Sequence, residues 1–398
     1  MTRHTIGIAG AGIGGLTIAA LLADQGHEVT VFDQFDRPRP VGSGLVIQPV
    51  GQAVLAEIGA LDDAMAKGNV VTHMLGHEAD NGRRVLDVWY DRKAVPDRFG
   101  LAIHRASLFD AILKAAQRRD VTLQQSAQVA GRDGQHLTFA DGSRAGPFDL
   151  TIDSCGAGSP LSPLKSYPLP YGAIWSTVDW PDTELPTTQL SQCYRRADRM
   201  IGALPIGTMP GEETPKAAIF WSLRRDGHAA WKAGGLEAWK DEATTLWPAF
   251  APFAAQVTDP AQMTMARYSH GTLMKPYGRG IVHIGDAAHR ASPQLGQGAN
   301  MALLDALALA RAMQRADLDD APALYAKARR WHTRVYQVMS AVFTPQYQSD
   351  SKWLPVLRDR VLFPVSQINP LPKALTAIVC GTMLPPLASL HQDRNGLV

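Results

Sequence analysis

Cysteine is scarce in this chain of 398 residues, whose three cysteines, Cys155, Cys193 and Cys380, are far apart in sequence. An odd number of distant cysteines provides neither a disulfide framework nor a CxxC pair for a metal ion. We therefore predict no metal site and expect a protein of the reducing cytoplasm.

The chain also lacks an excess of charge of either sign. Its 39 Lys and Arg residues nearly cancel its 37 Asp and Glu residues, and the formal net charge is +2. Because nucleic-acid-binding proteins usually carry a strong basic excess, we expect no nucleic-acid partner.

Long apolar runs are missing as well. The run from Ile6 to Ala23 is interrupted by glycines, and the run from Lys373 to Met383 is too short to span a bilayer. We therefore predict no transmembrane segment. The composition, with 45% apolar and 19% charged residues, is that of an ordinary globular protein of two or three domains.

The amino-terminal stretch has the pattern of a strand, a helix and a second strand. Thr5 to Ala9 reads as a short buried strand, and a glycine-rich loop then opens a helix predicted over Leu16 to Gln25. The second strand, Glu28 to Phe32, ends at Asp33. This unit is typical of dinucleotide-binding domains.

The glycines of the loop have the GxGxxG spacing, and each has a physical reason to be glycine. Gly10 permits a tight turn, Gly12 lets the backbone approach a pyrophosphate, and Gly15 lets the helix and the strand pack closely. Asp33 would bind the ribose hydroxyls of an adenosine. The motif predicts a dinucleotide without distinguishing FAD from NAD.

A second strand, loop and helix pattern lies between Gly280 and Ala312. The strand-like run Ile281 to Ile284 leads to Asp286, which can accept hydrogen bonds from sugar or ribityl hydroxyls. A glycine-containing loop follows, and then a long apolar helix starts near Met301. The unpaired N–H groups and positive dipole end at a helix start favour an anion or an electron-rich ring edge.

This second pattern resembles the second FAD-binding motif of the para-hydroxybenzoate hydroxylase family of flavoprotein monooxygenases. The residues that carry the resemblance are Gly285-Asp286-Ala287-Ala288-His289, Pro293, Gly296-Gln297-Gly298-Ala299-Asn300 and Asp305. The resemblance, which extends over roughly Thr5 to Phe343, implies an α/β fold. It consists of a Rossmann-like FAD-binding domain of the GR2 type, an inserted β-rich substrate domain and C-terminal helices.

The resemblance, together with changes in residue pattern along the chain, divides the sequence into three parts. The FAD-binding domain is expected to be discontinuous, over residues 1–69, 100–165 and 271–343. Its β-rich substrate domain would comprise residues 70–99 and 166–270. The remaining residues, 344–398, are predicted to form a C-terminal cap or a contact in a possible homodimer.

The residues expected to bind FAD, without a covalent bond, come from both motifs. By resemblance, Asp286 holds the ribityl chain, Pro293 lies beside the ring, and the amides of Gly296 to Asn300 face its pyrimidine end. Arg39 would lie near the pyrophosphate and Val129 near the adenine. The full prediction is Gly10, Gly12, Gly15, Asp33, Arg39, Arg105, Val129, Asp286, Pro293, Gly296, Gln297, Gly298 and Asn300.

The substrate cavity is less well defined by the sequence. Gln48, at the end of a strand, and Trp221, in a strand among apolar neighbours, are predicted to line it. A place in the hydrophobic core is the favoured alternative for Trp221. Tyr268 and His270 could assist a proton transfer, but the sequence does not identify a catalytic side chain.

The segment from Asp153 to Ser159 departs from the family pattern. Relatives usually have a Gly-Ala-Asp-Gly run followed by Ser and Arg, but here Cys155 replaces the aspartate and the arginine is absent. In the family this motif is associated with both the flavin and the nicotinamide, so the departure leaves the reductant open. Cys155 could be a reactive thiol, although a small residue filling a tight turn is the favoured interpretation.

The function implied by the resemblance is that of an FAD-dependent monooxygenase. It would hydroxylate a small, electron-rich substrate, expected to be aromatic, with O2 through a flavin C4a-hydroperoxide and with NADH or NADPH as transient reductant. Two alternatives remain open: an FAD-dependent oxidoreductase or dehydrogenase without oxygen insertion, and a non-catalytic flavin-binding protein. The sequence does not identify the substrate.

Overall fold

The computed structural model describes residues 2–36, 43–91, 93 and 97–390. Its strands are β1 (Thr5–Ala9), β2 (Glu28–Phe32), β3 (Gly44–Ile47), β4 (Asn69–Val71), β5 (His73–Glu78), β6 (Arg84–Trp89), β7 (Gly100–His104), β8 (Val121–Gln124), β9 (Val129–Asp133), β10 (His136–Phe139), β11 (Arg144–Ala145), β12 (Leu150–Asp153), β13 (Tyr167–Asp179), β14 (Gln189–Arg195), β15 (Arg199–Pro205), β16 (Lys216–Arg224), β17 (Thr264–Thr272), β18 (Tyr277–Gly278), β19 (Ile281–His283) and β20 (His289–Arg290).

The helices follow the same chain order. They are α1 (Ile13–Asp24), α2 (Pro49–Glu57), α3 (Leu61–Lys67), α4 (Arg105–Gln117), α5 (His228–Gly234), α6 (Leu236–Leu246), α7 (Ala251–Ala254), α8 (Gly298–Arg315), α9 (Ala321–Tyr347), α10 (Leu354–Leu357), α11 (Phe363–Ser366) and α12 (Leu371–Cys380). A π-helical turn, Arg358–Leu362, joins α10 to α11. Within the described ranges, no helix is both long and apolar enough to cross a membrane.

A six-stranded sheet forms the centre of the first layer, in the order β18-β19-β12-β1-β2-β8. Its strands from β19 to β8 are parallel, and Ile8 of β1 pairs with Ile152 on one side and Val31 on the other. α1 and α8 bury their apolar side chains in the core of this layer. The predicted α/β fold with a Rossmann-like strand, helix and strand unit is therefore confirmed.

A second layer is an eight-stranded sheet in the order β20-β17-β13-β16-β15-β14-β5-β6. Strands from residues 73–89 join it beside strands from residues 167–224, because β5 pairs in parallel with β14. On one face, Trp221 packs with Trp239, Phe250 and Phe253 from the helical segment that follows β16. The opposite face carries Phe220 and lies towards the first layer.

The C-terminal helices complete the molecule. α9 packs along α8, and its last residues reach the end of the second sheet, where Tyr347 contacts Tyr194 of β14. The segment from α10 to α12 then returns to the first layer, where Val50 of α2 packs against Gly381. The two sheets and these helices enclose a space between them.

Candidate cofactor and substrate site

A cavity of about 1700 Å³ lies between the two sheets. Both glycine motifs line one end, and the second sheet with the C-terminal helices lines the other. Pockets for a single small molecule typically measure roughly 300–1,000 Å³. This cavity can therefore hold a dinucleotide-sized cofactor together with a second molecule.

The first glycine motif presents bare backbone to the cavity. Gly10 has a φ of +98°, and a Cβ added there would lie 2.7 Å from the Ser154 carbonyl oxygen. At Gly15 an added Cβ would lie 2.0 Å from the Gly10 carbonyl oxygen, so this position fixes the contact between α1 and β1. At Gly12 it would meet no protein atom within 4 Å, because this residue borders the cavity.

The start of α1 is suited to an anion. Gly12 is its N-cap and no side chain caps the helix, so the first N–H groups remain available at the cavity wall. Asp33 lies nearby, with its carboxylate accepting from the backbone N–H groups of Ala11 at 2.8 Å and Phe35 at 3.0 Å. These bonds hold the carboxylate in place and leave lone pairs for ribose hydroxyls.

Two further predicted residues concern the adenosine end. Val129 lines the cavity at the start of β9. Arg39, predicted near the pyrophosphate, lies outside the described residues.

The second motif lines the facing wall. Asp286, Pro293, Gly296 and Gly298 all border the cavity, and the N–H groups at the start of α8 have no side-chain cap. Burial raises the pKa of Asp286, while the positive charges of neighbouring residues, Arg105 among them, act in the opposite direction. A carboxylate in this setting gains from hydroxyl donors supplied by a ligand.

Arg105 faces Asp286 across the cavity wall. It is the first residue of α4, and its guanidinium lines the cavity without a hydrogen bond to another described residue. Burial lowers the pKa of Arg105, and the charges of Asp286 and Tyr268 partly offset this effect. Such a desolvated, unpaired cation is suited to an anionic ligand group.

Two predicted residues around α8 make backbone contacts. Asn300 is fully buried; its Oδ1 accepts from the Gln48 N–H at 2.8 Å, and its Nδ2 donates to the carbonyls of Val46 and Gly296. Gln297 borders the cavity, but its Nε2 donates to the carbonyls of Ile378 and Val379. Both therefore hold the turn around Gly296 in place.

Gln48, predicted to line the substrate cavity, lies behind its wall. Its Oε1 accepts from the Tyr90 hydroxyl at 2.6 Å, and the side chain is fully buried. Its Nε2 has no partner among the described residues and lies 3.3 Å from the position of a Cβ built on Gly296. Gln48 thus supports the turn at Gly296 from behind.

Trp221 does not line the cavity either. Side chains alternate between the faces of a strand, and Trp221 points into the core beside Trp239 while its neighbour Phe220 borders the cavity. Phe220 pairs across the sheet with Trp175, and their ring centroids lie 4.5 Å apart. The alternation was readable from the sequence, but the face that meets the cavity was not.

The end of the cavity away from the glycine motifs, which we name the substrate end because the substrate is expected there, has aromatic walls. Trp175 donates from Nε1 to the Tyr268 hydroxyl at 2.9 Å, and Phe220 continues the wall towards Tyr194 and Tyr347. Burial raises the pKa of Tyr268 to about 12, against the opposing effects of the Trp175 hydrogen bond and the Arg105 charge. Tyr268 is therefore a neutral phenol at neutral pH.

Arg358, on the π-helical turn, also lines this end of the cavity. Its guanidinium carbon lies 5.1 Å from the Tyr194 ring and 4.9 Å from the Tyr347 ring. Nε and Nη2 donate to the Asp359 carboxylate, and Nη1 donates to the Gln346 carbonyl at 2.8 Å. Two guanidinium hydrogens, one on each Nη, remain without a partner among the described residues.

The altered segment after β12 is held in place by hydrogen bonds to the Asp153 carboxylate. Asp153 accepts hydrogen bonds from the Cys155 N–H at 3.1 Å and the Ser159 hydroxyl at 2.7 Å, and it bonds His283 Nδ1 at 2.7 Å. Cys155 borders the cavity, but burial, followed by the negative charge of Asp153, raises the pKa of its thiol. A reactive thiolate is therefore not formed at neutral pH.

A buried polar network supports the second motif. Asp305 accepts from the Gly285 N–H at 2.9 Å and from Arg329 Nε at 2.7 Å, and it bonds His289 Nε2 at 2.6 Å. Burial alone would raise the pKa of Asp305, but the charges of His289 and Arg329 bring it well below its usual range. The network continues through His332 to the Gly381 carbonyl, so it joins the turn at Gly285 to the C-terminal segment.

Comparison with known proteins identifies both motifs with nucleotide-binding domains. Residues 8–43 match the NAD(P)-binding Rossmann-like domain, and residues 181–323 match the FAD binding domain. Kynurenine 3-monooxygenase of Stenotrophomonas maltophilia is 26% identical over 371 residues, which are 85% of this chain and 78% of the relative. The 3-hydroxybenzoate 6-hydroxylase of Klebsiella oxytoca is 25% identical over 340 residues, covering 81% and 83% of the two chains.

Solved structures show the same fold. The tetrameric form of 2-methyl-3-hydroxypyridine-5-carboxylic acid oxygenase has a TM-score of 0.76 at 19% identity, over 92% of this chain and 99% of that chain. A variant of HpxO from Klebsiella pneumoniae, complexed with FAD, has a TM-score of 0.78 at 19% identity, over 96% and 99%.

Proposed function

We propose that this chain, which belongs to the FAD-dependent monooxygenases that include the aromatic hydroxylases, inserts one atom of O2 into a small, electron-rich aromatic substrate. The observation that carries the proposal is one continuous cavity. Two uncapped helix starts face its cofactor end, and aromatic side chains line its other end.

The cofactor end has the donors and acceptors that FAD needs. The N–H groups of α1 would bind the pyrophosphate, and Asp33 with Val129 would hold the adenosine. Asp286 would accept from the ribityl hydroxyls, and the N–H groups of α8 would face the electron-rich edge of the ring. Bound FAD would supply hydride acceptance from NADH or NADPH and the activation of O2.

The aromatic end would position the substrate and exclude water. Trp175 and Phe220 provide flat apolar surface for an aromatic ring, and the neutral Tyr268 hydroxyl is fixed by Trp175 beside Arg105. Arg358 offers two unpaired N–H groups to an acceptor such as a carboxylate or a carbonyl. We therefore propose a flat substrate that carries such an acceptor away from its reacting ring.

The expected location and assembly remain part of this proposal. We infer a cytoplasmic enzyme that takes NADH or NADPH transiently, and a homodimer is the predicted assembly. The Asp153 to Ser159 segment has an intact hydrogen-bond network without the arginine of the family pattern, so nicotinamide binding would depend on other residues.

The test is titration of the purified apoprotein with FAD, followed by anaerobic reduction with NADH or NADPH. We expect one FAD per chain, and we expect Asp286→Ala to weaken FAD binding roughly ten- to hundredfold, because hydrogen bonds to a charged group are lost. Asp241→Ala, at an exposed helix position, is the matched control. Wild-type protein that cannot bind FAD would contradict the proposal.

A further inference from the structure

Exposed apolar side chains are concentrated near the carboxyl end of the chain. Of the fourteen large hydrophobic side chains that are exposed among the described residues, twelve lie between residues 331 and 383. We name the densest part the C-terminal apolar surface, and it consists of Trp353, Val356, Leu357, Val361, Val365 and Ile368. Exposed apolar surface of this density marks an interaction site.

The helix that carries this surface has charged side chains on its inward face and apolar side chains on its outward face. Through α10, the π-helical turn and α11, the inward face buries the Arg358 and Asp359 ion pair. The outward face carries aliphatic side chains, and Trp353 just before the helix is 82% exposed. A helix at a water-facing surface has the opposite arrangement, so this face is adapted to an apolar environment.

The exposed charges of the segment that carries the C-terminal apolar surface, residues 351–381, have one sign. Lys352, Arg360 and Lys373 are exposed, whereas Asp359, the one acidic residue of the segment 351–381, is buried and paired. Residues 321–381 contain eight basic and two acidic residues in a chain that is nearly neutral as a whole. The second acidic residue, Asp350, pairs with Arg224 and accepts from the Tyr171 hydroxyl.

A second copy of this chain is a poor complement to this surface. A two-fold symmetric contact places the same patch on both sides, so that the exposed cations would face cations without acidic partners from the segment. An anionic bilayer supplies both of the complements that the surface lacks, negative charge and an apolar interior. Trp with Lys or Arg beside aliphatic residues is typical of helices that lie in a membrane interface.

We propose that the C-terminal apolar surface docks the protein on an anionic lipid bilayer, as a peripheral attachment. Phe363 and Ser366, on the inward side of the same helix, border the cavity. Because a helix is about 10 Å thick, docking places the cavity wall about 10 Å from the lipid. If the proposed reaction holds, apolar substrates dissolved in the membrane would reach the cavity by a short path. The attachment itself does not depend on that reaction.

The experiment is flotation of the full-length, FAD-loaded protein with two kinds of vesicle. One is pure phosphatidylcholine, and the other is phosphatidylcholine with about 30% phosphatidylglycerol, which makes it anionic. We expect binding to the anionic vesicles, lost in high salt. Replacing two cations, Lys352→Gln with Lys373→Gln, should weaken it roughly thirtyfold, at about fivefold per charge. Trp353→Ser with Ile368→Ser should also weaken it at least tenfold, since both side chains insert apolar surface.

Tyr167→Ser is the matched control, because Tyr167 is 76% exposed and lies outside the surface. It should leave vesicle binding unchanged, and none of the substituted residues borders the cavity, so FAD content should stay constant. Equal binding to neutral and anionic vesicles would overturn the proposal. The proposal would also be overturned if the protein did not bind vesicles and formed a dimer in solution that Trp353→Ser with Ile368→Ser dissociates. The surface would then join two copies of the chain.

Discussion

The two ends of the cavity are built in different ways. At the cofactor end, backbone N–H groups of two glycine loops face the cavity, and each loop is continuous in sequence. At the substrate end, the walls are side chains from β13, β14, β16 and the C-terminal helices, which are far apart in sequence. We therefore expect atoms added to the glycine loops to weaken FAD binding, whereas changes at the substrate end should alter the choice of ligand.

The sharpest test of this contrast is within the first glycine loop. Gly15→Ala would place a Cβ 2.0 Å from the Gly10 carbonyl oxygen, so α1 and β1 must separate. We expect the free energy of unfolding to fall by about 3 kcal/mol or more, together with loss of FAD binding. The Cβ added by Gly12→Ala would have no protein atom within 4 Å, so this variant should leave the stability of the apoprotein unchanged while weakening FAD binding. Urea unfolding and FAD titration measure both, and equal destabilisation by the two variants would contradict the account.

Adjacent residues on β16 test the substrate end. Trp221→Phe should lower the free energy of unfolding by about 1–3 kcal/mol and leave aromatic ligand binding unchanged, because Trp221 lies in the core. Phe220→Leu should have a smaller effect on stability and should change ligand binding, because Phe220 borders the cavity. Ligand-induced changes in the flavin spectrum give the second readout. The reverse pattern would show that the two faces of the strand are assigned wrongly.

The difference between the two ends also explains what the sequence could predict. The strand, glycine loop and helix units are local patterns, so the fold and the positions of Asp33, Asp286 and the loop glycines follow from spacing. Trp221 shows the limit: its strand was recognised, but which face meets the cavity depends on the pairing of β13 with β16 and on the packing of both layers.

Arg358 shows the same limit from another direction. Its place at the cavity depends on a π-helical turn and on packing against Tyr194 and Tyr347, which no local pattern indicates. Gln48 was recognised as the end of a strand, but its contact with Tyr90 keeps it behind the wall.

The pair Arg358 and Asp359 tests the proposed acceptor of the substrate. Removing one partner would leave a buried charge unpaired, so the informative variant is Arg358→Gln with Asp359→Asn. We expect benzoate, used as a probe, to bind roughly tenfold more weakly, because a charged hydrogen bond is lost, and phenol to bind as before. Flavin spectral titration with both probes measures this. A similar loss for both probes would mean that the pair only supports the fold.

The smallest expected effect concerns the network that joins the second motif to the C-terminal segment. Burial, followed by the charge of Arg329, lowers the pKa of His332 from 6.5 to about 3. The unfolded chain therefore binds more protons between these values, and stability falls as the pH drops below 6.5. We expect a slope of up to about 1.4 kcal/mol per pH unit. His332→Gln should reduce that slope, measured by unfolding at pH 7 and 5.5. An unchanged slope would mean that other titrating groups cause the pH dependence.

The central claim is that the two ends of the cavity act together in oxygen insertion. The most direct measurement supplies the FAD-loaded protein with NADH or NADPH and a panel of phenols and quinolones under ¹⁸O2, and follows the products by mass spectrometry. The account predicts a hydroxylated product that contains one ¹⁸O atom. A product that carries oxygen from water, or that forms without O2 when a dye accepts the electrons, would contradict it and identify a dehydrogenase.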